Sequence, residues 1–322
     1  MYQRLLNRSD DWLKYAIEAH LRRKPANELA ALREAALADD RIQGYLRDVA
    51  DFHGTLVTNH KNPVLPIHKL LFLLDLGFGT ETAEIKTAVG EILKHRDGNG
   101  VYQSMTNVPE RYGGAGTDVF SWCLCDAPLL LLALCKAGAD YHRQIKPGVD
   151  YLVSLCRDNG FPCAVSPELG RFRGPGRKED CCPYATLIMA DLLSHTPDYR
   201  DSFAAVAAAE ALLSLWENSL SRHPYMFYMG TDFRKLKAPS CWYDIVSVAG
   251  VLRRYPFAKK DPRYREMIDL IRAKQDADGF FTPESVYRKL QDWDFGQKRE
   301  PSPYLTYLCL RILERSETLS MN

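Results

Sequence analysis

Apolar residues recur at helical spacing along most of this chain, and two kinds of helical segment alternate. Segments with one polar face are predicted at about 81–95, 144–156, 202–217 and 263–274. Each is followed by a more apolar segment, at about 123–137, 181–195, 240–255 and 302–315. A helix that is apolar on every side must be buried, and an amphipathic helix can cover it. The alternation therefore predicts an outer and an inner layer of helices.

The first 80 residues add two more pairs. Helices are predicted at about 9–23, 26–38, 40–53 and 66–77, the first capped by Asp10 or Asp11 and the third by Asp39 or Asp40. Six pairs predict an all-α fold, an α6/α6 toroid, with the sixth inner helix drawn from residues 1–40. We expect a single domain over 1–322, in which 1–60 complete the ring and 61–315 form the repeats. An open helical solenoid is the alternative, and a sheet of three or more strands would contradict the toroid.

Four of the outer helices are predicted to end in a polar turn that contains an aromatic residue. The turns are Arg96 to Tyr102, Arg157 to Phe161, a degenerate Arg222 to Phe227, and Gln275 to Phe281. Gly100 and Gly160 are 60 residues apart, and Gly279 follows after about two such intervals. The chain is therefore predicted to repeat a unit of helix, glycine turn, loop and second helix.

The last turn resembles a repeat found in known families. Gln275, Gly279 and Phe280 form a Gln-x-x-x-Gly-aromatic pattern that resembles the repeat of terpenoid cyclases and protein prenyltransferases, and Arg157 to Phe161 is a weaker copy. The resemblance covers residues ~60–315 and implies an α6/α6 barrel, with a central cavity at the N-terminal ends of the inner helices. Three segments also resemble a group of small bacterial proteins with this repeat, a match that implies no activity: Gly174 to Asp180, Met229 to Lys235 and Trp293 to Lys298.

The motifs that carry catalysis in these families do not occur in the sequence. Squalene-type cyclases use Asp-x-Asp-Asp and ionisation-type terpene synthases use Asp-Asp-x-x-Asp, and the chain has neither string. Protein prenyltransferases bind zinc through Asp-x-Cys and a histidine on the next inner helix. Asp180 and Cys182 match the first part, but residues 239–242 include no histidine. We therefore expect no cofactor and no tightly bound metal; if zinc does bind, the candidate ligands are Asp180, Cys182 and Cys241.

Three inner helices are preceded by a lysine at the same distance from a tyrosine. The pairs are Lys178 and Tyr184, Lys237 and Tyr243, and Lys298 and Tyr304, with Arg177, Arg234 and Trp242 nearby. If these loops meet at one rim, the cations and the helix N-termini would bind a phosphate, diphosphate or carboxylate. The aromatic rings would line an apolar cavity. The alternatives are that the cations pair with acidic residues of the same loops and that the rings are core packing.

Carboxylates and thiols also lie at the starts of the inner helices. Asp126, Asp180 and Asp244 are the candidates for a general acid or base. His68 begins the first repeat's inner helix and could reach the same cavity, although a hydrogen-bonded structural histidine is the alternative. The neighbouring cysteines are equally explained as small buried hydrophobic residues.

Composition and net charge limit the binding partners and the cellular location that we expect. The net charge of +1 provides no global field for nucleic acid, so no nucleic-acid partner is expected. The N-terminus lacks the apolar core of a signal peptide, and no apolar segment is long enough to span a bilayer. Nine cysteines in such a chain favour a reducing, cytoplasmic location. The oligomeric state stays open.

These observations favour an enzyme that binds an apolar substrate with an anionic head, such as an isoprenoid or terpenoid diphosphate. The reaction would be a transfer or a cyclisation. One alternative is a carbohydrate-active α/α barrel, a hydrolase or lyase that acts on an acidic sugar through paired carboxylates. The other is a non-catalytic binding or scaffold toroid.

Overall fold

The computed structural model describes residues 1–174, 177–221 and 230–317, which are mostly helical. The helices of the first half are α1 (Tyr2–Asn7), α2 (Asp11–His20), α3 (Ala26–Leu37), α4 (Asp40–Ala50), α5 (Pro66–Leu76), α6 (Ala83–Lys94) and α7 (Ala127–Lys136). Those that follow are α8 (Lys146–Ser154), α9 (Pro183–Ser194), α10 (Phe203–Glu217), α11 (Gly230–Phe233), α12 (Ile245–Leu252), α13 (Pro256–Lys259), α14 (Pro262–Ala273) and α15 (Pro303–Glu317). Within these ranges, no helix has the length and hydrophobicity needed to cross a membrane.

Local sequence explains where several of the helices begin. Proline occupies the first turn of α5, α7, α9 and α14, where its fixed φ suits a helix and no N–H partner is lost. Asp39, Asp244 and Asp261 each accept a hydrogen bond from a backbone N–H in the first turn of α4, α12 and α14. The predicted cap of α4 is thus confirmed at Asp39. Asp10 also has the N-cap position of α2, but without a side-chain cap bond among the described residues.

Six helices contact one another in chain order, and we call them the core helices: α2, α5, α7, α9, α12 and α15. α2 packs against α5, α5 against α7, α7 against α9, α9 against α12, α12 against α15, and α15 against α2. Each of α3, α4, α6, α10 and α14 packs against one or more of these. Nearly every residue of α5, α7 and α9 is buried, whereas α3 buries only Leu29 and Ala36 among its residues. Burial therefore follows the predicted alternation of apolar and amphipathic segments.

The glycine turns share one backbone conformation. Gly100, Gly160 and Gly279 have φ values of 85°, 102° and 90°. This left-handed region is open to glycine and strained for other residues, which explains the recurrence of glycine at these three positions. The degenerate turn at residues 222–227 lies outside the described residues.

Two of these turns are also bound to the following core helix by the same hydrogen bond. The backbone N–H of Phe161 donates to Oγ1 of Thr186 in α9 at 3.0 Å. The backbone N–H of Phe281 donates to Oγ1 of Thr306 in α15, also at 3.0 Å. Two copies of the sequence repeat therefore share the same hydrogen bond between turn and helix.

Three features differ from the sequence-based expectation. Two short strands, β1 (Ser104–Thr106) and β2 (Val119–Ser121), form an antiparallel sheet that was not predicted, because three residues are too few to produce an alternating pattern. α1 was not predicted either. α12 begins at Ile245 rather than near residue 240, because Asp244 takes the N-cap position, and Tyr243 therefore precedes the helix instead of opening it.

Candidate functional site

A cavity of about 870 Å³ is lined by three loops that are far apart in the sequence. The loop before α5 contributes residues 58–59 and 61–63, the segment before α12 contributes 242–244, and the segment after the Gly279 turn contributes 285–289. Asp232 and Lys237 also line it. We call this the large cavity. It lies beside the N-terminal end of α12, which Asp244 caps.

Basic side chains outnumber carboxylates in the lining of the large cavity. The cations are Lys61, Lys237, Arg288 and Lys289, and the carboxylates are Asp232 and Asp244. Although the whole chain is nearly neutral, the local charge of this lining is positive. Such a concentration of like charges in a concave surface attracts an anion.

Lys237 is the half-buried member of this set. Its Nζ lies 3.5 Å from the centroid of the Tyr287 ring, a cation–π contact. Burial lowers the pKa of Lys237, while the neighbouring charge of Asp244 acts in the opposite direction. A partly desolvated ammonium binds an anion more strongly than a fully hydrated one, because less water has to be displaced.

Asp244 supplies a buried carboxyl group to the same wall. Its Oδ1 accepts from the backbone N–H of Ser247 at 2.9 Å, which caps α12. Its Oδ2 is buried and has no hydrogen-bond partner in the described parts of the chain. Burial raises the pKa of Asp244 to about 7, against the hydrogen bond from Ser247 and the charge of Lys237. At neutral pH this carboxyl is therefore divided between acid and anion, as proton transfer requires.

Trp242 lines the large cavity and also a second, smaller one of about 120 Å³. The second cavity, which we call the central cavity, is lined by residues of α5, α7, α9, α12 and α15. The Trp242 and Tyr184 ring centroids are 4.1 Å apart. The Tyr184 hydroxyl donates to the carbonyl oxygen of Cys241 at 3.3 Å, which fixes the ring beside the indole. Trp242 is therefore a wall common to both cavities.

Charged residues line the central cavity near the C-terminal ends of the core helices. Lys136 of α7 pairs with Asp75 of α5, and Arg254 pairs with Asp191 of α9. Burial opposes ionisation of both carboxyls, but Lys136 and Arg254 outweigh it and the pKa values of Asp75 and Asp191 are lowered. Arg311 Nη1 donates to the Tyr307 hydroxyl at 3.1 Å. These charges have partners inside the protein.

Asp126 forms a buried polar group with two histidines. Its Oδ1 accepts from the backbone N–H of Cys123 at 2.8 Å, and its Oδ2 lies 3.9 Å from Nδ1 of His60. Neither Oδ2 nor that Nδ1 has a hydrogen-bond partner among the described residues. His68 Nε2 lies 2.8 Å from the carbonyl oxygen of His60. Burial raises the pKa of Asp126 to about 7 and lowers the pKa of each histidine to about 4. Both histidines are therefore neutral at pH 7.

This group does not belong to the lining of the large or the central cavity. The candidate catalytic residues thus occupy different places: Asp244 lines the large cavity, whereas Asp126 and His68 lie in the interior. Asp180 lines a third cavity of about 240 Å³, together with Glu210 of α10. A catalytic role for each of the four stays a prediction.

The candidate zinc ligands Asp180, Cys182 and Cys241 do not place three ligand atoms within reach of one ion, within the part of the chain that the structure describes. Both cysteines are buried. A hydrogen bond with the Cys125 thiol lowers the pKa of Cys182, so this thiol already has a partner.

The lysine–tyrosine repeats do not share one environment. Lys237 and Tyr243 line the large cavity. Lys178, Lys298 and Arg177 are exposed and lie outside its lining. The common spacing in the sequence is therefore not matched by a common position at this cavity.

The other candidate binding residues pack against protein. Tyr304 is buried, with its ring centroid 4.9 Å from that of Phe295. Arg234 lies over the Trp216 ring at 4.2 Å and 3.5 Å from Glu266. These contacts match the alternatives of core packing and ion pairing, and ligand binding by these two residues stays a prediction.

Sequence reasoning missed several residues of the large cavity. Lys61 lies in the loop before Pro63 and α5. Arg288 and Lys289 form a basic pair after Tyr287, between the Gly279 turn and α15. The pair Arg288 and Lys289 was a usable signal, because two adjacent cations lie in a loop that leads into a core helix. Lys61 lies at the very start of the repeats, in a loop with no second cation beside it, and gave no such signal.

The chain is similar to solved structures but matches no family model. No protein-family model matches the sequence, and none of the curated proteins matches it. Among solved structures, the chain is similar to the type II terpene cyclase MstE from Scytonema, with 12% identity and a TM-score of 0.43 over 96% of this chain and 87% of the other. A variant of that cyclase in complex with geranylgeranyl dihydroxybenzoate matches with 11% identity and a TM-score of 0.42, over 95% and 86% of the two chains. Similarity at this level assigns neither a family nor an activity.

Proposed function

We propose that the chain is an α/α toroid enzyme that binds an amphipathic small molecule through an anionic head, and that the large cavity is its site. The toroid is supported by the order in which the core helices contact one another, from α2 through α15 and back to α2. The function is supported above all by one observation. Basic side chains, aromatic rings and a buried carboxyl with a pKa of about 7 line the same cavity.

The anionic head lies against the cations of the large cavity. Lys237 and Lys61 come from different loops, so they contact the head from different sides. Each charge-assisted hydrogen bond to a phosphate contributes on the order of 1–3 kcal/mol. Exposed Arg288 and Lys289 add to the local field and accelerate the approach of the anion.

The apolar tail contacts the aromatic wall. Trp242, Tyr243 and Tyr287 line the large cavity, and Trp242 continues into the central cavity. The central cavity itself, at about 120 Å³, is smaller than typical ligand pockets. The large cavity, at about 870 Å³, lies within the usual range and can hold the tail against its aromatic wall.

Asp244 acts as the general acid in this proposal. Its protonated form donates from the buried Oδ2, and its Oδ1 stays bound to Ser247. A carboxylic acid with a pKa near 7 protonates an oxygen leaving group or a carbonyl more readily than an unactivated alkene, because an alkene is a far weaker base. We therefore favour a reaction at the head group over direct protonation of the tail.

Binding of farnesyl diphosphate, measured by calorimetry with farnesol for comparison, tests the proposal. Lys237→Met keeps the aliphatic stem and removes the charge, and we expect at least a tenfold loss of affinity for the diphosphate. Lys178→Met and Lys298→Met are the matched controls, because both residues lie outside the large cavity. We expect them to change affinity less than twofold, so a triple variant should behave like Lys237→Met alone.

Three results would contradict the proposal. Equal affinity for farnesol and its diphosphate would show that the anionic head does not contribute to binding. A loss of affinity in the controls as large as in Lys237→Met would move the site to another surface. Binding of acidic oligosaccharides instead of the diphosphate would favour the carbohydrate-active alternative.

A further inference from the structure

His53, Glu91 and His95 come together on a part of the molecule that the proposed function does not use. His53 follows α4, Glu91 lies in the last turn of α6, and His95 is the residue directly after that helix. One ligand atom of each side chain lies within 4.8 Å of those of the other two. All three side chains are partly exposed, so an ion in solvent can reach them.

The spacing of Glu91 and His95 explains half of this arrangement. Glu91 lies in the last turn of α6 and His95 has its C-cap position, so the helix end brings these two side chains close together. The third group is brought in by tertiary structure, since His53 lies 38 residues before Glu91. Its Nε2 is 3.4 Å from the Glu91 carbonyl oxygen, and the His53 and His95 ring centroids are 4.8 Å apart.

We infer that His53, Glu91 and His95 form a binding site for a divalent transition-metal ion, with zinc as the preferred ion. Two imidazole nitrogens and one carboxylate oxygen are donors that suit zinc, and a water molecule completes four-coordination. Such donors do not favour magnesium or calcium, which prefer oxygen ligands alone. In a tetrahedral site, bonds of about 2.0–2.1 Å place the ligand atoms roughly 3.4 Å apart. The side chains therefore have to close by up to about 1.4 Å around the ion.

The surroundings prepare the two histidines for this role. The His53 ring packs edge to face against Phe52 and Phe120, with ring centroids 5.2 and 5.1 Å away. The His95 ring is stacked on Phe120 of β2, with the centroids 3.5 Å apart and the planes at 7°. This contact limits the rotation of the ring and reduces the entropy lost when a metal binds.

Lys94 competes for the same carboxylate. Its Nζ lies 2.5 Å from Oε1 of Glu91, and this hydrogen bond lowers the pKa of the carboxyl group. A metal ion must displace or share that contact. The lysine therefore lowers the affinity for the metal without being a ligand.

The metal site would also fasten the wall of the large cavity. From His53 the chain continues through Val57, whose backbone N–H donates to the carbonyl oxygen of Met105 in β1 at 2.9 Å. It then forms the loop that carries Lys61. An ion bound by His53 and the end of α6 would hold the start of this segment, eight residues before Lys61.

Zinc binding to the full chain, purified in the presence of chelator and then freed of it, tests the inference. We expect one Zn²⁺ per chain by competition with a chromogenic chelator, and a higher melting temperature in the presence of zinc. Co²⁺ in place of Zn²⁺ should give the intense visible bands of a four-coordinate ion. His53→Ala and Glu91→Gln should each lower the affinity at least tenfold.

Two further variants separate a built site from binding at any histidine. His142→Ala removes an exposed histidine of the turn before α8 and should leave the affinity unchanged. Lys94→Met removes the competing ammonium and should raise the affinity a few-fold, which a purely structural role of the cluster would not produce. Zinc binding that survives both His53→Ala and Glu91→Gln, or no binding by the parent chain, would overturn the inference. If His53→Ala does not fold, Glu91→Gln decides alone, because this isosteric change lies on a helix surface.

Discussion

Both ends of the core helices carry buried or partly buried carboxyl groups, but only those at the C-terminal ends are paired with cations. At the C-terminal ends, Lys136 pairs with Asp75 and Arg254 pairs with Asp191. At the N-terminal ends, Asp126 and Asp244 each keep one buried carboxyl oxygen without a hydrogen-bond partner among the described residues. The pKa values of Asp75 and Asp191 at the C-terminal ends are lowered. Those of Asp126 and Asp244 at the N-terminal ends are raised to about 7.

Helix dipoles do not explain this difference. A carboxylate at a helix N-terminus and a cation near a C-terminus are both stabilised by the dipole, so the dipole alone would lower the pKa values of Asp126 and Asp244. Burial without a paired cation outweighs it. The comparison indicates that charges at the C-terminal ends stabilise the fold, whereas those at the N-terminal ends are kept in a costly state that suits chemistry.

The largest expected effect is at the C-terminal ends. Asp191→Ala leaves Arg254 without its carboxylate in a site where both side chains are less than a quarter exposed. Removing one partner of such a pair destabilises a protein by about 3 kcal/mol, because the remaining charge stays partly desolvated. Chemical denaturation followed by circular dichroism measures the loss. Asp269→Ala, which breaks an exposed pair with Arg272, should cost less than ~1 kcal/mol. Equal losses would remove the distinction between buried and surface pairs.

The next effect concerns Asp126 and Asp244 and depends on pH. Their pKa values of about 7 lie above the unfolded value near 3.9, so the folded state holds the proton more tightly. This tighter proton binding stabilises the folded state. The stabilisation is fully present below pH ~4 and is lost as the pH rises through ~7. Replacing either aspartate with asparagine, whose oxygen keeps the backbone hydrogen bond, removes one such group.

We expect the free energy of unfolding of the parent to fall between pH 4 and 7 by up to ~1.4 kcal/mol per pH unit for each group, relative to its variant. Denaturation curves of parent, Asp126→Asn and Asp244→Asn across this range measure it. Parallel stability profiles for all three would show that both carboxyls are ionised in the folded protein and that the N-terminal ends do not differ from the C-terminal ones.

The smallest effect distinguishes the two aspartates from each other. Asp244 lines the large cavity and Asp126 does not. Above pH 7 the Asp244 carboxylate repels an anionic ligand, so Asp244→Asn should bind farnesyl diphosphate a few-fold more tightly at pH 8 and equally at pH 5.5. Asp126→Asn should follow the parent at both values, as calorimetry can establish. A gain of the same size in Asp126→Asn would place that residue at the ligand site as well.

Much of the architecture could be predicted from the sequence because its causes are local. The period of apolar positions fixed most helices to within a few residues, and the recurrence of glycine matched the left-handed conformation of Gly100, Gly160 and Gly279. The sequence placed Asp126 and Asp244 near helix starts, and the structure gives them the N-cap positions of α7 and α12. The strands of three residues were not predictable, because their pairing partner lies in another segment.

Which residues line the candidate site depends on tertiary structure. Spacing made Lys178, Lys237 and Lys298 equivalent, yet Lys237 lies in the large cavity and the other two lie outside its lining. The equivalence failed because a loop position is set by what the loop packs against, which spacing does not encode. Lys61 reaches the same cavity from a loop more than a hundred residues away in the chain. Burial decides the acidity of Asp244 in the same way, because its surroundings are assembled only when distant segments meet.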